Sequence, residues 1–134
     1  MALNKAYSQY KENSIFTSSP EELTLMLYNG LVKFIMQAQH AIGEKNIEKA
    51  NNCIIRAQEI VKEFQATLDM KYDISQNLMS LYEYMERRLL EANLRKRADI
   101  LEEVLGLAKE LRDTWIQAVK NAKHPQSNTQ HTAK

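Results

Sequence analysis

Between Leu23 and Ile42 the chain runs twenty residues with one formal charge, Lys33, and its apolar side chains do not keep to one face of a helix. Leu23, Leu27, Gly30, Phe34, Ala38 and Ala41 fall at helical spacing on one side, while Leu25, Tyr28, Val32, Ile35 and Ile42 do so on roughly the other. A surface helix buries a single stripe, so a helix that is apolar nearly all round must be covered on two sides. The pattern downstream differs. Ile47, Ala50, Ile54, Ala57, Val61, Phe64 and Leu68 step by three and four, with Glu48, Lys49, Arg56, Glu59, Lys62 and Glu63 between them, the narrow seam of an outer bundle member. Ile74, Leu78, Leu81, Met85, Leu89 and Ala92 form a third stripe, widened by Met79, Tyr82 and Leu90. Leu101, Val104, Ala108, Leu111, Trp115 and Ala118 form a fourth.

The residues between the stripes support four helices. Ser19-Pro20-Glu21-Glu22 has the form of a capping box with proline at the first helical position, and Gly43 suits the left-handed turn that follows many helices. Asn46 is the expected cap of the second helix, and Asp73-Ile74-Ser75-Gln76 reads as a second capping box opening the third. The fourth helix is expected from about Ala98 to Ala122. Connections this short make neighbouring helices antiparallel, so the predicted fold is all-α, an antiparallel up-down four-helix bundle over residues 19–122. Residues 1–18 form an N-terminal arm in which Leu3, Ala6, Tyr7 and Tyr10 follow helical spacing; a helix that short persists in water only if its apolar side docks. Residues 123–134 are read as a disordered tail, because nothing from His124 to His131 is apolar enough to dock.

Composition narrows the function classes. A net charge of +1 supplies no field for a phosphate backbone, so nucleic acid is not an expected partner. Thr24, Asn29, Lys33, Gln37, Gln39 and His40 interrupt the first helix too often for membrane insertion. The single cysteine, Cys53, allows no intrachain disulfide, and Met1 to Tyr10 lack a secretory signal, which points to the cytoplasm. No catalytic residues, cofactor or metal are expected. Gln37, Asn121 and Asn128 stand where a Glu-x-x-His motif would need glutamate, and Gly30, Gly43 and Gly106 are too scattered to cradle a phosphate. His40 invites comparison with phosphotransfer bundles, but Gly43 ends the helix directly after it. A self-associating bundle, pairing the wide face of the first helix with a second copy, is a further reading.

Several short segments carry a resemblance when taken in order. They are Tyr7 and Tyr10; Ser19-Pro20-Glu21-Glu22-Leu23 running into Met26-Leu27-Tyr28-Asn29-Gly30; Ala57-Gln58-Glu59-Ile60; Asn77-Leu78; Leu81-Tyr82-Glu83-Tyr84-Met85; Glu91-Ala92-Asn93; and Leu111-Arg112-Asp113-Thr114-Trp115. Over about residues 4 to 120 the chain resembles the flagellin-specific export chaperones of bacteria, the FliS family. Asn29, where aspartate is more usual, and Ala6, where a proline is common, depart from that pattern. The resemblance implies a cytoplasmic chaperone, not an enzyme, that binds the disordered C-terminal segment of flagellin one-to-one. Such a chaperone prevents premature polymerisation and assists delivery to the flagellar type III export apparatus. A weak homodimer is expected without client. On this reading Tyr7 and Tyr10 of the arm compete with the client for apolar grooves beside the first and third helices, and Leu25, Tyr28, Val32, Leu78, Tyr82 and Met85 line the client sites.

Overall fold

The structure is a computed structural model that describes residues 19–123. Within that range four helices follow one another: α1 (Pro20–Gly43), α2 (Ile47–Thr67), α3 (Asp73–Arg95) and α4 (Ala98–Lys123). The expected arm, with Tyr7 and Tyr10, and the tail from His124 onward lie outside the described residues.

The first two helix starts follow from their caps. The Ser19 hydroxyl oxygen accepts from the Glu22 N–H, and the Glu22 carboxylate accepts from the Ser19 N–H, so two orphan donors are satisfied reciprocally. Asn46 Oδ1 accepts from the Lys49 N–H at 3.1 Å. The third start differs from the expected capping box. Tyr72 occupies the cap position with no side-chain bond, Asp73 is already helical, and Ser75 Oγ turns back to donate to the Asp69 carbonyl at 2.5 Å. Ser75 thereby closes the α2–α3 connection instead of capping a helix. Gly43 is likewise not the left-handed residue. It stays within α1, and the positive φ falls two residues later on Lys45 (60°); at the same end of the bundle Lys96 (51°) follows α3.

Each helix has two neighbours: α1 packs on α2 and α4, and α3 packs on α2 and α4. The four therefore form an antiparallel bundle in cyclic order, which resolves the two-sided apolar pattern of α1. Leu31, Ile35, Ala38 and Ala41 are sealed between sister helices, together with Tyr28, Val32 and Phe34. The core continues through Ile54, Ala57 and Val61 of α2, Met85 and Leu89 of α3, and Leu101 and Val104 of α4. Cys53 and Ile60 are also buried, so the seam of α2 is wider than its charge pattern implies. Ile47, Ile74 and Leu90, expected in the seams, are exposed, and so is Ala118. Ile47 and Ile74 sit at helix starts, where the neighbouring helices end, and Leu90 lies beyond the arc of α3 that its neighbours cover. Polar ties set the level of adjacent helices: Gln39 Nε2 donates to Glu102 Oε1 at 2.8 Å, and Asn93 Nδ2 to Asn51 Oδ1 at 2.8 Å.

Candidate functional site

The end of the bundle where α1 and α3 begin and α2 and α4 finish has an aromatic interior. Phe64 of α2 stacks on Tyr28 of α1, with ring centroids 4.5 Å apart, and on Tyr82 of α3 at 5.5 Å. The two phenol oxygens meet at 3.1 Å, joining helices diagonally opposite in the bundle. One phenol donates and the other accepts. Burial raises the pKa of both phenols, because the phenolate form would have to leave water. Of the residues expected to line a client site, Tyr28, Val32, Tyr82 and Met85 thus sit in the core, Met85 with no accessible surface. Leu25 and Leu78 are half-buried and face outward in part.

Above this interior the packing opens. From Leu23 to Leu27 no residue of α1 is fully buried, and no residue of α4 is fully buried beyond Ala108. Both segments are nevertheless helical, and they are held together by Trp115, whose indole Nε1 donates to the Glu21 carbonyl at 3.0 Å. That acceptor lies in the first turn of α1. Trp115 and Val119, four residues apart, therefore face α1 while Ile116 stands beside them. Leu25, Trp115, Ile116 and Val119 make the apolar floor of a hollow of about 250 Å³, and a second hollow of about 440 Å³ adjoins it across Trp115 and Val119. Glu21 and Glu22 stand on the α1 rim, and Lys120 and Lys123 on the α4 rim.

The arrangement has little of the chemistry of an active site. Among the described residues no group of histidine, cysteine or acidic side chains could hold a metal. The Glu22 carboxyl on the rim is held below the usual carboxylate range by the bonds it exchanges with Ser19. An apolar floor with charges of both signs on its rims suits the apolar stripe of a helix lying along it. By its spacing Trp115 belongs to the apolar seam of α4. Its neighbour Ile116, apolar outside that seam, was the available sign of a second exposed face.

The other singled-out groups have local roles. Tyr82 points inward, whereas Tyr84, two residues on, points outward and donates to Glu103 Oε2 at 2.5 Å. That bond raises the Tyr84 pKa, and the bonds from Tyr84 and Arg88 lower that of Glu103. Five basic residues from the second half of α3 to just past its end are engaged: Arg88 with Glu91 and Glu103, Arg95 with Glu91, Arg97 with Asp99, Lys96 with the Asn93 carbonyl, and Arg87 over the Tyr84 ring. Cys53 is buried, and burial raises its thiol pKa. No described helix is long and apolar enough to cross a membrane.

Comparison with known proteins places this geometry among relatives. The model of a family described as flagellar protein FliS matches residues 3–122. The flagellar secretion chaperone FliS of Bacillus subtilis (strain 168) is 41% identical over 121 residues, covering 90% of this chain and 91% of that protein. The flagellar secretion chaperone FliS of Salmonella typhimurium (strain LT2) is 33% identical over 127 residues, covering 92% and 94%. A crystal structure of a flagellar chaperone from bacteria shares the fold, with a TM-score of 0.71 at 18% identity over 87% of this chain and 97% of that one.

Proposed function

The chain belongs to the flagellar protein FliS family, a family of chaperones and not of enzymes, and from that premise we propose that it binds the disordered C-terminal segment of flagellin in the cytoplasm, prevents its premature polymerisation and assists its delivery to the flagellar type III export apparatus. The observation that carries this reading is the open cleft between the start of α1 and the end of α4. It offers Leu25, Trp115, Ile116 and Val119 to an apolar guest.

Folding a disordered segment on a partner costs roughly 2 to 5 kcal/mol of ordering, which buried apolar area has to outweigh. A client helix in a groove meets that cost with anchors at i, i+3, i+4 and i+7. No nucleotide enters the scheme. Surface of flagellin held in the cleft is not available to another flagellin, so polymerisation is blocked by occupancy alone. Leu25 and Leu78 contact the client directly, while Tyr28, Val32, Tyr82 and Met85 form the packed wall behind them. Residues 1–18 run directly into Ser19 on the cleft margin, so Tyr7 and Tyr10 compete with the client for the same floor. Each complex holds one chaperone and one flagellin.

Capture of flagellin by the immobilised chaperone tests the reading. Full-length flagellin is retained, and a version lacking its last ~40 residues, enough for ~60 Å of helix, is lost. Trp115→Ala weakens capture at least ten-fold, and deletion of residues 1–11 strengthens it. Equal retention of the truncated flagellin refutes the C-terminal assignment, and an unchanged affinity of the Trp115→Ala chain refutes the cleft.

A further inference from the structure

The hollow of about 250 Å³ between α1 and α4 has unlike margins. Glu21 and Glu22 stand on α1, Lys120 and Lys123 on α4, and all four are exposed. Both margins have the same order along the helix. Glu21 lies four residues before Leu25, and Lys120 four residues after Ile116. Because α1 begins and α4 finishes at this end, the charge on each side sits one turn nearer the open end than its apolar neighbour. The opposite signs do not meet in contact. Glu21, Lys120 and Lys123 have no ion-pair partner among the described residues. Glu22 accepts from the Ser19 N–H at 2.9 Å, and its carboxyl is held low first by its bonds with Ser19 and then by the charge of Lys123 on the facing margin. The two margins therefore act on one another across the hollow without closing it.

We propose that the cleft selects its client by the charges beside the apolar stripe: it takes an amphipathic helix that seats apolar side chains on Leu25, Trp115 and Ile116 and carries, one turn toward the open end, a cation on the edge facing Glu21 and an anion on the edge facing Lys120. The selection rests on the reading of this cleft as the client site and states what the client presents there. Apolar contact alone does not discriminate, because every amphipathic helix has such a stripe. Charge on the margins does. A helix with two acidic edges is attracted by Lys120 and repelled by Glu21, and a helix with two basic edges meets the converse. Unlike edges also fix direction. Turning a helix end for end while its stripe stays on the floor exchanges its edges, so a client with one basic and one acidic edge satisfies both margins in one direction only. The pairs are exposed, so the preference is several-fold and falls as salt rises.

Titration of the full chain with tryptophan-free helical peptides of ~18 residues, ~27 Å long, tests the proposal, read by the emission of Trp115, the sole tryptophan, and by displacement of flagellin. The peptides share one apolar stripe and differ only in their edges: Lys/Glu, Lys/Lys, Glu/Glu and Gln/Gln. The Lys/Glu peptide binds about five-fold tighter than either like-charged peptide at ~20 mM salt, and the advantage is lost at ~0.5 M. Glu21→Lys moves the preference toward Glu/Glu, and Lys120→Glu moves it toward Lys/Lys. Should a reversal fold poorly, Glu21→Gln and Lys120→Gln each narrow the advantage of the Lys/Glu peptide. A benzophenone at the peptide N-terminus crosslinks at one end of the cleft for the Lys/Glu peptide and at the other for the peptide with its edges exchanged. Equal affinity of all the peptides overturns the proposal, as does one ranking kept by the wild type and both margin variants. Crosslinks at the same place for both edge orders overturn the fixed direction. Flagellin captured but displaced by none of the peptides overturns the selection and leaves the functional reading intact. The expected ranking without flagellin capture upholds the selection and overturns flagellin as the client, and binding of neither overturns both.

Discussion

Replacing Tyr28 or Tyr82 by phenylalanine removes one hydroxyl of a buried pair and leaves the other without its partner, which costs about 1 to 3 kcal/mol for the stranded group. Replacing both strands nothing. The double variant Tyr28→Phe/Tyr82→Phe is therefore expected to cost less than the sum of the single changes, a non-additivity measurable by urea unfolding. The same pair sets an alkaline limit. Because burial raises both phenol pKa values above the ordinary value of 10.0, the folded chain holds those protons more tightly than the unfolded chain. The contribution is fully present below about pH 10 and is lost as pH rises from there through the folded values. Unfolding free energy plotted against pH falls above that point in the wild type and falls less steeply in the double variant. Core and cleft residues separate on the same measurement: Ile35→Ala, at a fully sealed position, costs about 2 to 5 kcal/mol. Leu25→Ala, half-exposed, costs less stability and lowers flagellin affinity instead.

At the level of single helices, capping decides how far each start and stop holds. Ser19→Ala deletes the acceptor of a reciprocal cap and costs about 1 kcal/mol of unfolding free energy. It also frays the turn carrying the Glu21 carbonyl that receives the Trp115 indole, so a blue-to-red shift in the emission of the sole tryptophan is expected alongside the lost stability. At the other end of the bundle Lys96 adopts a left-handed conformation that disfavours side chains bearing a Cβ. Lys96→Gly is expected to raise the unfolding free energy by about 0.5 kcal/mol, once the greater freedom of glycine in the unfolded chain is counted, and the urea midpoint rises with it. Helix spans were legible in the sequence because Ser19 and Asn46 are unambiguous caps and the stripes keep their period. The start of α3 was less so. Asp73 and Ser75 have the right spacing for a cap, but Ser75 finds its acceptor in the preceding turn, a contact that depends on how that turn folds.

For the whole molecule, the bundle carries its cleft on the α1/α4 side, opposite the side where Ile47 and Ile55 of α2 and Leu90 and Leu94 of α3 are exposed. Flagellin occupying the cleft is expected to give a complex with the summed mass of one chaperone and one flagellin, as light scattering would show. The sequence by itself determined the four helices, their antiparallel sense and the family, because these rest on local period, capping chemistry and short connections, all of which act over a few residues. It also announced that α1 is apolar on two sides. Which neighbours take those sides was decided only by the cyclic packing: α2 and α4 seal the helix from Tyr28 to Ala41 and leave Leu23 to Leu27 partly open. The same packing carried Tyr82 and Met85 inward and left Trp115 at the surface of a cleft, although all three lie on apolar stripes. A stripe records that a side chain is apolar, not how far along the helix a neighbour extends to cover it. That extent depends on where four helices end relative to one another, and it exists only once they are packed.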